Sequence, residues 1–204
     1  NVIVASKLER FQWLSMDEAV KHCKKGVGEL SFISDKTDDP DLVLVSCGDT
    51  PTIEIVAAKN IIDKFLNIKT RVINVVDLMK LQSNLIHPHG LDDNEYNKLF
   101  TKEKPIVFAF HGYPNLIHLL TYNRQNRNIH VHGYKEEGTI TTPFDMRVQN
   151  EIDRYHLVLN AIKYIKLHKK DKENITNYCM NQLQKHSEYI RKFGIDMKDV
   201  DELI

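Results

Sequence analysis

Unbroken apolar runs alternate with amphipathic stretches along the chain. Residues 42–46 (LVLVS) and 105–110 (PIVFAF) carry no polar–apolar alternation, the pattern of strands buried on both faces. Residues 69–76 and 128–134 read as two further strands, the first rich in β-branched residues. Between them lie helical patterns. Ser15 and Glu18 form a capping box that predicts a helix over 16–24, ended by Gly26 and Gly28. Thr50 and Pro51 predict a helix start after the second apolar run. Ile53, Val56, Ala57, Ile61 and Phe65 then share one face as far as about Asn67. Residues 92–100 and 116–121 read as short helices, and 82–92 as irregular. Asp145 is the expected cap of one long helix reaching about Lys166. The charged run KLHKKDKEN then reads as a solvated hinge. It precedes a last helix over 175–193, with Ile175, Tyr178, Cys179, Leu183, Ile190 and Phe193 on its apolar side and Gly194 as its stop.

Strand and helix in alternation predict a three-layer α/β/α sandwich around a mostly parallel, mixed sheet. The polar stretch 34–40 (SDKTDDP) is the best internal boundary. It divides a lead-in segment, 1–40, from an α/β core, 41–170, with 171–204 as a helical appendage.

Composition narrows the class. Hydrophobic residues make up 42% of 204, enough for one sizeable core. Basic and acidic residues balance at 28 each, so net charge offers nothing to nucleic acid or a membrane surface. Cys23, Cys47 and Cys179 are scattered and without a CxxC pair, which speaks against a disulfide framework or a cysteine zinc site and suits a reducing, cytoplasmic setting. No apolar run approaches the roughly 20 residues of a membrane span. The opening NVIVASK lacks the flank of a signal peptide and reads as a strand cut into from upstream, so the chain is expected to be an excised domain.

In such sheets function gathers in loops beyond the carboxyl ends of the strands. Here these are 47–52 (CGDTPT), 75–82 (VVDLMKLQ), 111–115 (HGYPN) and 133–145 (GYKEEGTITTPFD). CGDTPT offers backbone N–H groups and a helix dipole to an anion but lacks the Gly-Lys-Ser/Thr of a P-loop, and a well-capped turn is its ordinary reading. Cys47 sits where a helix N-terminus lowers a thiol pKa; without a base partner it reads as a small buried residue. HPHG, HGYP and HVHG hold five of the ten histidines, and His87/His89 and His130/His132 are spaced to share a strand face. No HExxH or fixed acidic partner accompanies them, so no metal site is expected. Glu136 and Glu137 are adjacent, and neighbours on extended chain point apart, a poor acid–base pair. No nucleophile, base and oxyanion set assembles by spacing, so no catalytic residue is assigned.

The loops carry a resemblance that spacing does not. VIVASK with QWLSMDEAVKHC, DPDLVLVSCGDTPTIEIVAA, RVINVVDLMKLQ, HPHGL, KPIVFAFHGYPNLIHLLTY and HVHGYKEEGTITTPFDMRVQNEIDRYHLV resemble the C-terminal portion of phosphoketolases, in order and over most of the chain. The resemblance implies a transketolase-like fold and part of a carbon–carbon lyase. Such enzymes use thiamine diphosphate and Mg²⁺ to cleave xylulose 5-phosphate or fructose 6-phosphate with phosphate, giving acetyl phosphate and an aldose phosphate. It implies a homodimer whose cofactor sits on upstream catalytic domains of the same polypeptide, with this domain inactive alone. It also implies that Lys7 helps bind the substrate phosphate, although Ser6 and the following LERF depart from the family's usual residues there. The alternative roles are a regulatory ligand-binding module, built on the HGYP and GYKEEGTITTP loops, or a dimerisation module.

Overall fold

The computed structural model describes residues 10–135 and 140–200. Five strands form one sheet in the order β1-β3-β2-β4-β5: β1 (Val27–Glu29), β2 (Leu42–Cys47), β3 (Thr70–Val75), β4 (Ile106–Phe110) and β5 (Ile129–His132). β2, β3, β4 and β5 run parallel, and β1 joins the β3 edge antiparallel. The helices are α1 (Met16–Lys25), α2 (Asp49–Phe65), α3 (Asp93–Phe100), α4 (Pro114–Thr121), α5 (Pro143–Gln149), α6 (Arg154–Tyr164) and α7 (Lys169–Phe193). The expected three-layer sandwich with a mostly parallel, mixed sheet is the observed fold.

The period of two decides where the core sits. Leu42, Leu44, Val72, Val107 and Ala109 face α2, α6 and α7. Val43, Val45, Ile73, Ile106 and Phe108 face α3 and α4. Both faces are closed, which is why β2 and β4 read as continuous apolar runs.

Three expectations about the elements are corrected. Gly48, not Thr50, precedes α2, which starts at Asp49 and has no side-chain cap. Gly48 takes φ 109°, and a methyl there would stand 2.7 Å from His111 Cβ, so a glycine is needed on both counts. The single helix expected after Asp145 is two, α5 and α6, broken at Glu151, a non-glycine residue at φ 53°. Asp153 caps α6 by accepting from Tyr155 N and His156 N. The break has a cause in the neighbouring helix: buried Glu54 of α2 accepts from Arg154 N at 2.8 Å and Arg154 Nε at 3.0 Å. An N–H free of intrahelical bonding exists only in the first turn of a helix, so Arg154 must begin one. Finally, the charged run is not a hinge, because α7 begins at Lys169 within it. It contains no proline or glycine, and a helix can carry a solvated charged turn when later turns dock through Ile175 and Cys179.

β1 has no counterpart in the sequence reading, where Gly28 ends α1. Three residues between glycines carry no periodicity, and only pairing with β3 makes them a strand.

Candidate functional site

The carboxyl ends of β2, β4 and β5 bring three of the four candidate loops together. β2 leads into α2 on one face and β4 into α4 on the other, so their loops diverge at the point where such sheets form a crevice. Backbone bonds lock the loops: His111 N donates to Cys47 O at 3.0 Å and Tyr134 N to Gly112 O at 2.9 Å. Gly133 lies so close to Gly112 that a methyl would stand 2.3 Å from its carbonyl oxygen. The Tyr113 and Tyr134 rings meet edge to face at 5.6 Å.

Asp49 is the charged centre of this face. Its Oδ2 accepts from Arg10 Nε at 2.8 Å, its Oδ1 accepts from Thr50 N at 2.7 Å, and His111 Nδ1 lies 3.5 Å away. Burial works to raise its pKa, but the Arg10 and Thr50 hydrogen bonds and the nearby charges outweigh that and hold it below the ordinary carboxylate value. Such a carboxylate orients other groups and is a weak base. A cavity of about 230 Å³ opens beside it, lined by Arg10, Thr50, His111, Tyr134, Arg147 and Asn150 among others. Beneath the first loop, Thr52 Oγ1 donates to Gly48 O at 2.6 Å, Asn74 Nδ2 reaches Ser46 Oγ and Thr52 Oγ1 at 3.1 Å, and His22 Nε2 meets Asn74 Oδ1 at 2.9 Å.

Other candidates fall elsewhere. Burial pushes the Cys47 thiol up to about 11, so helix α2 does not activate it. His87 and His89 stand in a turn, edge to face at 5.3 Å, rather than on a strand. His130 and His132 do share a face of β5: His130 stacks on Tyr164 at 3.4 Å, and His132 Nδ1 donates to Glu151 O at 2.8 Å. The fourth loop turns away, with Asp77 accepting from Met79 N at 2.9 Å. Among the described residues, no three His, Cys, Asp or Glu side chains gather as a metal requires, and no helix is long and apolar enough to cross a membrane. Lys7, Glu136 and Glu137 lie outside the described residues.

Sequence reasoning missed Arg10 and Glu54. Nothing local pairs Arg10 with Asp49, 39 residues away. Glu54 did carry a signal, a lone carboxylate within the apolar run Ile53, Ile55, Val56.

A parallel-sheet domain thus presents interlocked loops around an arginine–aspartate pair, without a complete catalytic set among its described residues. Residues 7–204 match the model of the XFP C-terminal domain, and the chain belongs to that family, the C-terminal domain of phosphoketolases. A probable phosphoketolase of Clostridium acetobutylicum is 50% identical over 202 residues, covering 98% of this chain and 25% of that protein. One from Chlorobaculum tepidum is 50% identical over 204 residues, covering 98% and 26%. The chain therefore spans about a quarter of the length of these curated relatives. The transketolase of Leishmania mexicana superposes over 71% of this chain and 18% of its own, with a TM-score of 0.49 and 13% identity.

Proposed function

We propose that this chain is the C-terminal domain of a phosphoketolase that cleaves xylulose 5-phosphate or fructose 6-phosphate with inorganic phosphate, yielding acetyl phosphate and an aldose phosphate. The observation that carries the reading is the family match from residue 7 to 204 in a chain a quarter as long as its curated relatives. In this reading the chemistry belongs to thiamine diphosphate and Mg²⁺ on upstream domains of the same polypeptide, arranged as a cytoplasmic homodimer. The domain's own share is positional. Lys7 contributes a cation to the sugar phosphate, and the Arg10–Asp49 pair, three residues on, anchors the segment that carries it to the start of α2.

The test is acetyl phosphate formation from xylulose 5-phosphate and phosphate by the full polypeptide and by this chain alone. Product from the former and none from the latter is expected; product from the isolated chain, or none from the full polypeptide, overturns the reading. In the full polypeptide, Lys7→Ala is expected to raise KM for the sugar phosphate more than it lowers kcat, and unchanged kinetics would remove Lys7 from the site.

A further inference from the structure

A second cleft, of about 390 Å³, lies away from the loop face, between β5, the α5–α6 break and α7. Helical spacing builds two of its walls. His156, Asn160 and Lys163 recur at four and three residues along α6, and Lys172, Thr176 and Met180 at fours along α7. His132 and Glu151 supply the third wall.

The charges in this cleft are unequally satisfied. The Glu151 carboxylate is held by Lys135 Nζ at 2.5 Å, and buried Asp153 is held by His156 Nδ1 at 2.5 Å. Both acids are thereby answered. Lys163 and Lys172 form no ion pair among the described residues, although Lys169, one turn from Lys172, has Glu173 at 3.8 Å. The cleft therefore presents two uncompensated ammonium groups and a His156 ring oriented by a carboxylate, with apolar surface from Leu159, Ile162 and Met180 between them. The backbone is also strained here. Glu151 occupies the left-handed region, which is strained for a non-glycine residue, and its carbonyl is fixed on the His132 ring.

We propose that this cleft binds a small metabolite through an oxyanion, a phosphoryl or carboxylate group seated between Lys163 and Lys172. The volume suits a compact metabolite and is too small for a dinucleotide. The residues that line this cleft are none of those that line the cavity beside Asp49, although Asn150 faces that cavity and Glu151 faces this cleft.

The test uses this chain itself, with ¹⁵N-labelled histidine rings followed by NMR at fixed pH. Inorganic phosphate and, separately, citrate are titrated against sodium chloride of matched ionic strength. Saturable shifts of the His132 and His156 rings are expected with at least one of the two anions, and which one responds separates a phosphoryl from a carboxylate ligand. The K163Q/K172Q double variant is expected to bind at least tenfold more weakly, while Lys192→Gln, near the far end of α7, binds as the parent does. Shifts that fail to saturate with both anions, or equal weakening by Lys192→Gln, would overturn the proposal.

Discussion

Two of the buried arginine nodes in this domain are balanced in different ways. In the first, Arg154 and Arg147 converge on Glu54: Arg154 Nε lies 3.0 Å from one carboxylate oxygen and Arg147 Nη1 2.8 Å from the other. In the second, Arg124 has its guanidinium over the Tyr96 ring at 4.1 Å and donates to the carbonyls of Leu81, Gln82 and Leu91. Among the described residues its carboxylate contact is Asp93, at 2.8 Å, whose side chain is 75% exposed. The first node joins charge to charge between α2 and the helices packed beside it on the same face of the sheet. The second joins charge to backbone and pins the irregular stretch between β3 and α3. The lesson concerns replaceability. An ion group carried mainly by side chains, as the first is apart from Arg154 N and Val200 O, can be removed nearly whole, whereas the three carbonyls of the second remain when their arginine is gone.

The difference can be broken experimentally. The largest effect is expected from Glu54→Ala, which leaves two buried guanidinium groups without their carboxylate and should cost about 3–5 kcal/mol in chemical denaturation. Replacing the node entire, with Glu54→Leu, Arg147→Met and Arg154→Met together, should recover most of that loss. A triple variant as unstable as Glu54→Ala would show that Arg154's further bond to Val200 O, at 2.7 Å, carries the energy instead. Arg124→Met is expected to cost on the order of 3 kcal/mol, because apolar volume cannot answer three carbonyls. Hydrogen exchange in residues 82–92 should rise first; uniform acceleration across the sheet would contradict the pinning role. Ser15→Ala, far from both nodes, should cost only about 1 kcal/mol through its lost capping box.

The smallest effect is a pH dependence beside the first node. At His156 burial opposes the charge, but the hydrogen bond and charge of Asp153 prevail, so its pKa lies above the ordinary value. At His132 burial prevails and the pKa lies below it. His156 therefore adds stability that is complete below about pH 6.5, the ordinary histidine value, and is lost as pH rises through its higher folded pKa. His132 acts oppositely, and its contribution is lost as pH falls through 6.5 towards its lower folded pKa. An NMR titration should show His156 titrating above His132, and Asp153→Asn should bring the two together. The reverse order would refute the assignment.

How much of this was legible in the sequence depends on the range of the forces. β2 and β4 showed in their apolar runs, α1 in its capping box, and α7's end in Gly194, because each signal lies within a few residues of its effect. β1, the α5–α6 break and the Arg10–Asp49 pair were not legible. Each is set by a partner tens of residues away: β3 for β1, Glu54 for Arg154, α2 for Arg10. The loops were located correctly, since they follow the strands. Their chemistry was legible only in part: Cys47, read as a small buried residue, is governed by burial, whereas Asp49 finds its partner Arg10 39 residues away.

The reach of Arg154 to Val200 bears on how the domain can be handled. Gly194 ends α7 in the left-handed conformation, and the chain turns back so that Asp196 Oδ2 accepts from Phe144 N at 2.9 Å and Val200, itself buried, offers its carbonyl to the first node. The tail is thus stitched into the interior. A stop codon placed after Gly194, which helix boundaries alone would recommend to anyone trimming the domain for crystallisation, would unseat a buried cation rather than remove a loose end.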